Sequence, residues 1–339
     1  MSADALQQSG LAPLLAVAQP VSFTKGARLL QQGAASRGAY VVREGTAEAI
    51  VTLPGGEKLT VAKLGPGSVF GEMALLERGV CMATVVATAN LDGWFLDRDD
   101  FRVLAAQRSP EARRLRHALT LILAGKLSAM NAKVLEAAAP DEPAAARVQG
   151  ADPLAGVKRV KKSGFDVRPF LPLLPAFDGF DEAEIAEVLD AARLLELPAG
   201  HGVFGIGQPS SAAFVVLRGA VEIHAAHAGR ERRMAVLGPG QIFGFMSLLA
   251  GGAHGSAARV RESAVLLEIP KAAFEALYHG DGTVCAALHH AVQRSLLGSL
   301  AQTNRHLTRL ISLARLRGAK KESGKLETAL GGQIVAATD

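Results

Sequence analysis

The 339-residue sequence holds only two cysteines, one tryptophan and two tyrosines, and its aromatic fraction is 5%. Cys81 and Cys285 stand at non-equivalent places of an internal repeat described below. Spacing therefore supports neither a disulfide framework nor a cysteine-ligated metal cluster, and a cytoplasmic location is expected. No run approaches the about 18 apolar residues that a membrane span requires, and the opening MSADALQQSG has no basic stretch ahead of an apolar core. Neither a span nor a leader is expected. A nucleophile with its base, paired carboxylates and a P-loop are also missing. His289 and His290 are adjacent on a predicted helix, so they diverge instead of forming an i, i+4 metal pair. No catalytic residue and no metal site are expected, and the sequence reads as a non-enzyme. Charge is not concentrated either. The net charge is +5, and apart from residues 158–162 and 315–321 the basic residues are dispersed, which favours an ordinary solvated surface over a nucleic-acid patch.

What is present is apolar material and repetition. At 49% hydrophobic residues the chain can fill two ordinary cores. LGPGSVFGEMALLERGVCMATV, Leu64 to Val85, has a second copy in LGPGQIFGFMSLLAGGAHGSAA, Leu237 to Ala258. In each, LGPG ends an apolar strand and Phe-Gly opens a short apolar helix start. Such a turn presents free backbone N–H groups and the positive end of a helix dipole, which suit a phosphate. Gly26, Gly33 and Gly45 recur at one constant offset as Gly200, Gly207 and Gly219. Gly71 and Phe101 recur as Gly244 and Phe274, at an offset shorter by a single position. One residue is lost in the intervening hairpin.

Between the glycines lie short alternating or β-branched runs: Val21–Phe23, Arg28–Leu30, Ala39–Arg43, Ala47–Thr52, Lys58–Leu64, Thr84–Ala89 and Gly93–Leu96. The second half offers Leu194–Leu197, Val203–Phe204, Ala213–Arg218 and Ala220–His224. Residues 1–20 read as a helical lead-in stopped by Pro20, Asp99–Ala106 as a helix, and Asp181 as the cap of another. Long helices are predicted from Pro110 to about Ala138 and from Thr283 to Arg317. The fold class is mainly β with flanking helices: two tandem jelly-roll-like β-rolls, each followed by a long C-terminal helix. The domains fall at 1–138 and 166–317, with a linker at 139–165 and a flexible tail at 318–339.

The stretch FGEMALLERGVCMATV resembles the phosphate-binding cassette of cyclic nucleotide-binding domains, and the resemblance covers most of the chain twice. It implies that a Gly-Glu pair opens the cassette, that the Glu accepts the ribose 2′-hydroxyl, and that an Arg about ten residues on pairs with the cyclic phosphate. Gly71 and Glu72 match, but Cys81 and Met82 stand where the Arg belongs. In the second copy Gly244 matches, Phe245 replaces the Glu, and His254 and Gly255 replace the Arg. The loss of one charge-assisted hydrogen bond weakens phosphate binding by roughly 10- to 150-fold. Arg78 is a sequence-near substitute, Cys81 reads as a small apolar filler, and Arg259 and Arg261 lie at odd steps from His254, facing away from the pocket.

Any nucleotide is therefore placed in domain one, against Gly71, Glu72, Met73, Ala74, Cys81, Met82, Ala83 and Thr84. The ligand is cyclic AMP or another cyclic nucleotide; no cofactor is expected. Catabolite-activator-type factors resemble each half but end in a helix-turn-helix module, for which no room follows Arg317, so no DNA-binding module is expected. Kinase regulatory subunits share the tandem layout. Arg232-Arg233-Met234 resembles their inhibitor segment, but it falls in a strand. The reading is a bacterial-type regulatory or sensor protein. The alternatives are a pseudo-receptor scaffold that binds a protein partner without nucleotide and a receptor for a cyclic dinucleotide such as cyclic di-GMP.

The long helices carry a further pattern. Leu297, Leu300, Asn304, Leu307, Ile311 and Ala314 follow the 3, 4 spacing of a coiled-coil seam. Leu127, Asn131, Val134 and Ala138 precede Leu300, Asn304, Leu307 and Ile311 by the same offset that relates Gly71 to Gly244. Parallel pairing would bring Asn131 and Asn304 to matching heights near the pockets. An intramolecular pseudo-dimer is expected, with a homodimer through the second helix, or each seam packing on its own β-roll, as alternatives.

Overall fold

The computed structural model describes residues 11–53, 56–77, 79–137, 153–157, 159–160, 167–227 and 230–334, of which 137, 159–160, 227, 230–231 and 311–334 are described by backbone alone. A one-turn helix α1 (Ala12–Leu15) leads into strand β1 (Gln19–Phe23), which contains the Pro20 expected to stop the helix. Because β1 is the edge of its sheet, the missing N–H is tolerated there. Strands β2 (Arg28–Leu30), β3 (Gly38–Glu44), β4 (Ala47–Thr52), β5 (Lys58–Leu64) and β6 (Val69–Phe70) follow, then helix α2 (Met73–Leu76), β7 (Thr84–Ala87) and β8 (Leu91–Asp97). Two four-stranded sheets result, ordered β1-β8-β3-β6 and β2-β7-β4-β5. Asp97 caps helix α3 (Arg98–Ala105), accepting from the Asp99 N–H at 2.8 Å, and the long helix α4 runs over Pro110–Ala137.

The segment read as a linker is in part built into domain two. Strand β9 (Arg159–Val160) pairs with β10 (Arg193–Leu197), and Leu154 is buried against Leu195, Leu197 and Val203. Leu154 and Val157 pack on the core of the second roll, an apolar contribution that the neighbouring prolines and lysines obscure in the sequence. Two 3₁₀ turns (Arg168–Leu173 and Pro175–Phe177) precede helix α5 (Glu182–Ala191), where Asp181 and Glu184 form a capping box. Strands β11 (Gly202–Phe204), β12 (Ala212–His227), β13 (Arg230–Leu237) and β14 (Ile242–Phe243), helix α6 (Phe245–Leu249) and β15 (Ser256–Pro270) complete the second roll. Helix α7 (Lys271–His279) leads to α8 (Thr283–Ile334). The helix thus passes Arg317 and occupies most of the expected tail, in keeping with the strong helix formers among Ala319, Lys320, Lys321, Glu322, Lys325, Leu326 and Glu327.

The glycine correspondence reflects backbone need. Gly71 and Gly244 sit at φ +77° and +81°, and a Cβ there would lie 2.8 Å from the Gly38 carbonyl oxygen and 3.0 Å from that of Ala212 respectively. Each turn therefore tucks against the start of a strand at a place closed to other residues.

Helices α4 and α8 pack side by side and parallel within the chain. Gln293 Nε2 donates to Arg116 O at 2.8 Å and to Thr120 Oγ1 at 3.1 Å, and further along Thr303 Oγ1 donates to Asn131 Oδ1 at 3.3 Å. By composition α4 is long and apolar enough to cross a membrane, contrary to the sequence reading. Its Leu115, Leu119, Leu123 and Leu127 are instead buried in a cluster that also holds Leu14 and Leu75 of domain one and Phe177, Ile185, Phe274 and Leu296 of domain two. Val134 packs with Leu307 and with Ala225 and Met234 of the second roll; Ala138 lies outside the described residues. Asn131→Cys combined with Thr303→Cys, in a Cys81→Ser background, should cross-link within one chain on oxidation. A cross-link found only between chains would contradict the pairing.

Candidate functional site

The domain-one cassette is held by α2 and the start of β7. Glu72 precedes α2, is 5% exposed, and makes no side-chain cap to the helix. Its Oε2 instead accepts from Lys126 Nζ at 2.5 Å. A carboxylate at the mouth of a phosphate site needs a hydroxyl or a cation to offset it, and here α4 supplies the cation. Lys126 is the residue that the sequence did not single out; its signal was its place on α4, five residues before Asn131. The ammonium has three donors, so one ion pair leaves two for a ligand.

Met73 is half-buried and Ala74 buried on α2. Cys81 is tied into the turn by its backbone, donating to Ala34 O at 2.8 Å and accepting from the Gly33 N–H at 2.9 Å. Burial pushes its thiol pKa up, which opposes thiolate chemistry. Met82 receives Asn304 Nδ2 at Sδ, 3.8 Å away, so a residue of domain two's helix touches domain one's cassette. Ala83 is half-buried, and Thr84 Oγ1 accepts from the Gln32 N–H at 3.1 Å. The cassette residues and Asn304 are thus brought together. Asn131 is not among them: it lines the opposite pocket, beside Thr303 and Gly244. Arg78 lies outside the described residues.

The domain-two pocket has a different chemistry. Its cavity of about 110 Å³ includes Phe204, Phe245, Ser247, His254 and, from α4, Leu127 and Asn131, with no Asp, Glu, Lys or Arg among the described residues of its wall. That is well below the about 300 Å³ at which small-molecule pockets begin. Phe245 is 4% exposed where domain one has Glu72. His254 stacks on Phe204, ring centroids 3.8 Å apart, and its Nδ1 lies 3.2 Å from Ser247 Oγ. Burial pushes its pKa down to about 4, so it is neutral at pH 7 and offers no charge to a phosphate. Arg259 and Arg261 are absent from the wall, and Arg261 turns towards Glu222 at 3.9 Å.

Among the described residues no group of three or more His, Cys, Asp or Glu is placed to hold a metal. His289 is buried and His290 exposed, diverging as their adjacency requires. Arg232–Met234 lies in β13, within the sheet.

Each helix therefore reaches across: α8 brings Asn304 to the first cassette, and α4 brings Leu127 and Asn131 to the second pocket. The Cyclic AMP receptor protein of Thermus thermophilus is 34% identical over 123 residues, covering 35% of this chain and 55% of its own length. The cAMP-dependent protein kinase regulatory subunit of Mycosarcoma maydis is 24% identical over 258 residues, covering 72% of this chain and 39% of its own. The chain thus spans only part of each relative. The co-crystal structure of the regulatory domain of Toxoplasma gondii PKA with cAMP is 20% identical, with 83% of this chain and 90% of that chain covered at a TM-score of 0.32. The family model described as cyclic nucleotide-binding domain matches residues 20–108 and 194–281, together more than half of the sequence. With both glycine turns, both β-rolls and both matches in place, the chain belongs to the cyclic nucleotide-binding domain family.

Proposed function

We propose that the chain is a non-enzymatic regulatory protein that senses a cyclic nucleotide through domain one alone, with domain two serving as a closed partner that covers the site with its long helix. The observation that carries this reading is the Glu72–Lys126 pair in domain one, set against buried Phe245 and neutral His254 in domain two. Glu72 provides a ribose acceptor. Lys126 provides a cation beside the cassette whose usual Arg is replaced by Cys81 and Met82. Asn304, whose contact with Met82 supports this reading, would meet the edge of a bound base. Cyclic AMP is the first ligand to test, because the similar proteins include a cyclic AMP receptor protein and a cAMP-dependent protein kinase regulatory subunit, followed by cyclic GMP and cyclic di-GMP.

Isothermal titration of the full chain should show one site per chain. Lys126→Met should weaken it by about 10- to 150-fold, the loss of one charge-assisted hydrogen bond, and Glu72→Ala should also weaken it. Two equivalent sites, or affinity untouched by Glu72→Ala, would refute the assignment. Binding of none of the three nucleotides would favour the scaffold reading, in which the helices dock a protein partner.

A further inference from the structure

Helices α4 and α8 are parallel and begin at equivalent positions of the repeat, Pro110 and Thr283, so their N-termini open at the same end of the pair. Between them, at the junction of the two domains, lies a cavity of about 260 Å³ whose wall includes Gln107, Arg108, Arg113 and Arg116 from one domain and Glu184 and Thr283 from the other. Each long helix carries about half a positive charge at this end.

Arg116 is the informative residue. It is 7% exposed. Its Nη1 donates to the carbonyls of Ala105 and Gln107, and its Nε has no acceptor. Among the described residues no carboxylate pairs with it. The equivalent position in the second copy is His289, whose Nε2 lies 3.1 Å from the carbonyl of Tyr278, itself the counterpart of Ala105. A histidine therefore closes the corresponding helix end in domain two without a fixed charge, so closing α3 does not by itself require the arginine's charge. A buried cation facing only neutral carbonyls is costly unless an anion offsets it.

The remaining charges leave room for one. Arg113 is committed to Asp281 and to the carbonyls of His279 and Gly280. Glu184 accepts from the Asp181 N–H at 3.0 Å in the capping box. Arg108 is exposed at the rim. Among the described residues of the wall, three arginines against two carboxylates leave one positive charge in excess, before the helix ends are counted. The Ala112 N–H is already taken by Ser109 Oγ at 3.1 Å, so guanidinium groups would hold the ligand more than first-turn amides.

We propose that this inter-domain cavity binds a phosphoryl oxyanion, as inorganic phosphate or as the phosphate of a small phosphomonoester, with Arg116 and Arg108 as its cations. The site is separate from both cassettes and does not depend on nucleotide binding. Because its walls come from both domains, an occupant would tie α3–α4 to α7–α8.

The test is titration of the full chain with inorganic phosphate, and separately with glycerol phosphate, at constant ionic strength set by chloride. Melting temperature and heat of binding are the readouts. Saturable stabilisation beyond that of chloride is expected, from whichever of the two fits. Arg116→His, which copies the His289 arrangement, and Arg108→Gln, at an exposed position, should each weaken it about tenfold or more. Glu72→Ala should leave it unchanged, which separates this site from the nucleotide pocket. The proposal is overturned if neither phosphate compound stabilises more than chloride does, if Arg108→Gln and a folded Arg116→His both bind as the parent does, or if Glu72→Ala abolishes the effect.

Discussion

On acidification from about pH 7.5 to about pH 4.5 the folded chain should lose about 5 kcal/mol of stability through two histidines, His289 and His254. His289 is fully buried at the junction of α7 and α8, stacked on Tyr278 at 3.8 Å between ring centroids. Its Nδ1 has no hydrogen-bond partner. Burial first, and the neighbouring Arg116 charge second, push its pKa down to about 3. His254 is lowered to about 4 by burial. In both cases the folded value lies below the unfolded value of about 6.5, so the unfolded chain binds more protons in the window between them. The stabilisation is therefore complete above about pH 6.5 and falls away as pH drops towards the folded values. Two units below 6.5 each histidine has lost about 2–3 kcal/mol, a large part of an ordinary stability of about 5–15 kcal/mol. Urea midpoints measured at the two pH values would read this. His289→Gln keeps a donor for the Tyr278 carbonyl without titrating, and together with His254→Gln it should flatten the pH dependence even where it lowers stability at pH 7.5. An unaltered pH dependence in the double variant would assign the acid loss to carboxylates instead.

Both histidines were visible in the sequence, but their burial was not. What could be read directly was whatever repeats: glycines at positive φ, because few other residues adopt that backbone, and strands, because alternation along Ala47–Thr52 and Lys58–Leu64 is local. The parallel helix pair was legible for the same reason, since Leu127 and Asn131 keep one register with Leu300 and Asn304. Lys126 was hidden because its meaning comes from Glu72, 54 residues away, and a lysine on an amphipathic helix ordinarily faces water. Strand β9 was hidden because its pairing with β10 is long-range and its flanks are rich in lysine and proline. Asn131 and Asn304 were expected near the pockets at matching heights, and the packing distributes them, Asn131 to the second pocket and Asn304 to the first cassette. A seam pattern gives the register of a helix pair but not which neighbouring roll each side chain meets.

Truncating a leucine in domain two should unfold domain one along with it. The only tryptophan, Trp94, lies in β8 of domain one, so its fluorescence follows that domain, while far-UV circular dichroism follows both. Leu296 on α8 is 0% exposed. It belongs to the continuous apolar cluster that includes Leu14, Leu75 and Leu119 on one side and Ile185, Phe274 and Leu288 on the other. Deleting its side chain to Ala removes buried contacts and leaves a space that rigid neighbours fill incompletely, a cost of about 2–5 kcal/mol. If the shared core makes the two rolls one cooperative unit, that cost is charged to the whole chain. The Trp94 midpoint in urea should then fall together with the dichroism midpoint, in a single transition. Val216→Ala, in the cluster enclosed within the second roll, provides the comparison: it should move both probes equally, by less, because Val is the smaller side chain. A Trp94 transition that stays in place while dichroism resolves an earlier step would mean that the rolls unfold separately. The long helices would then act as a contact between two independent domains instead of a common core.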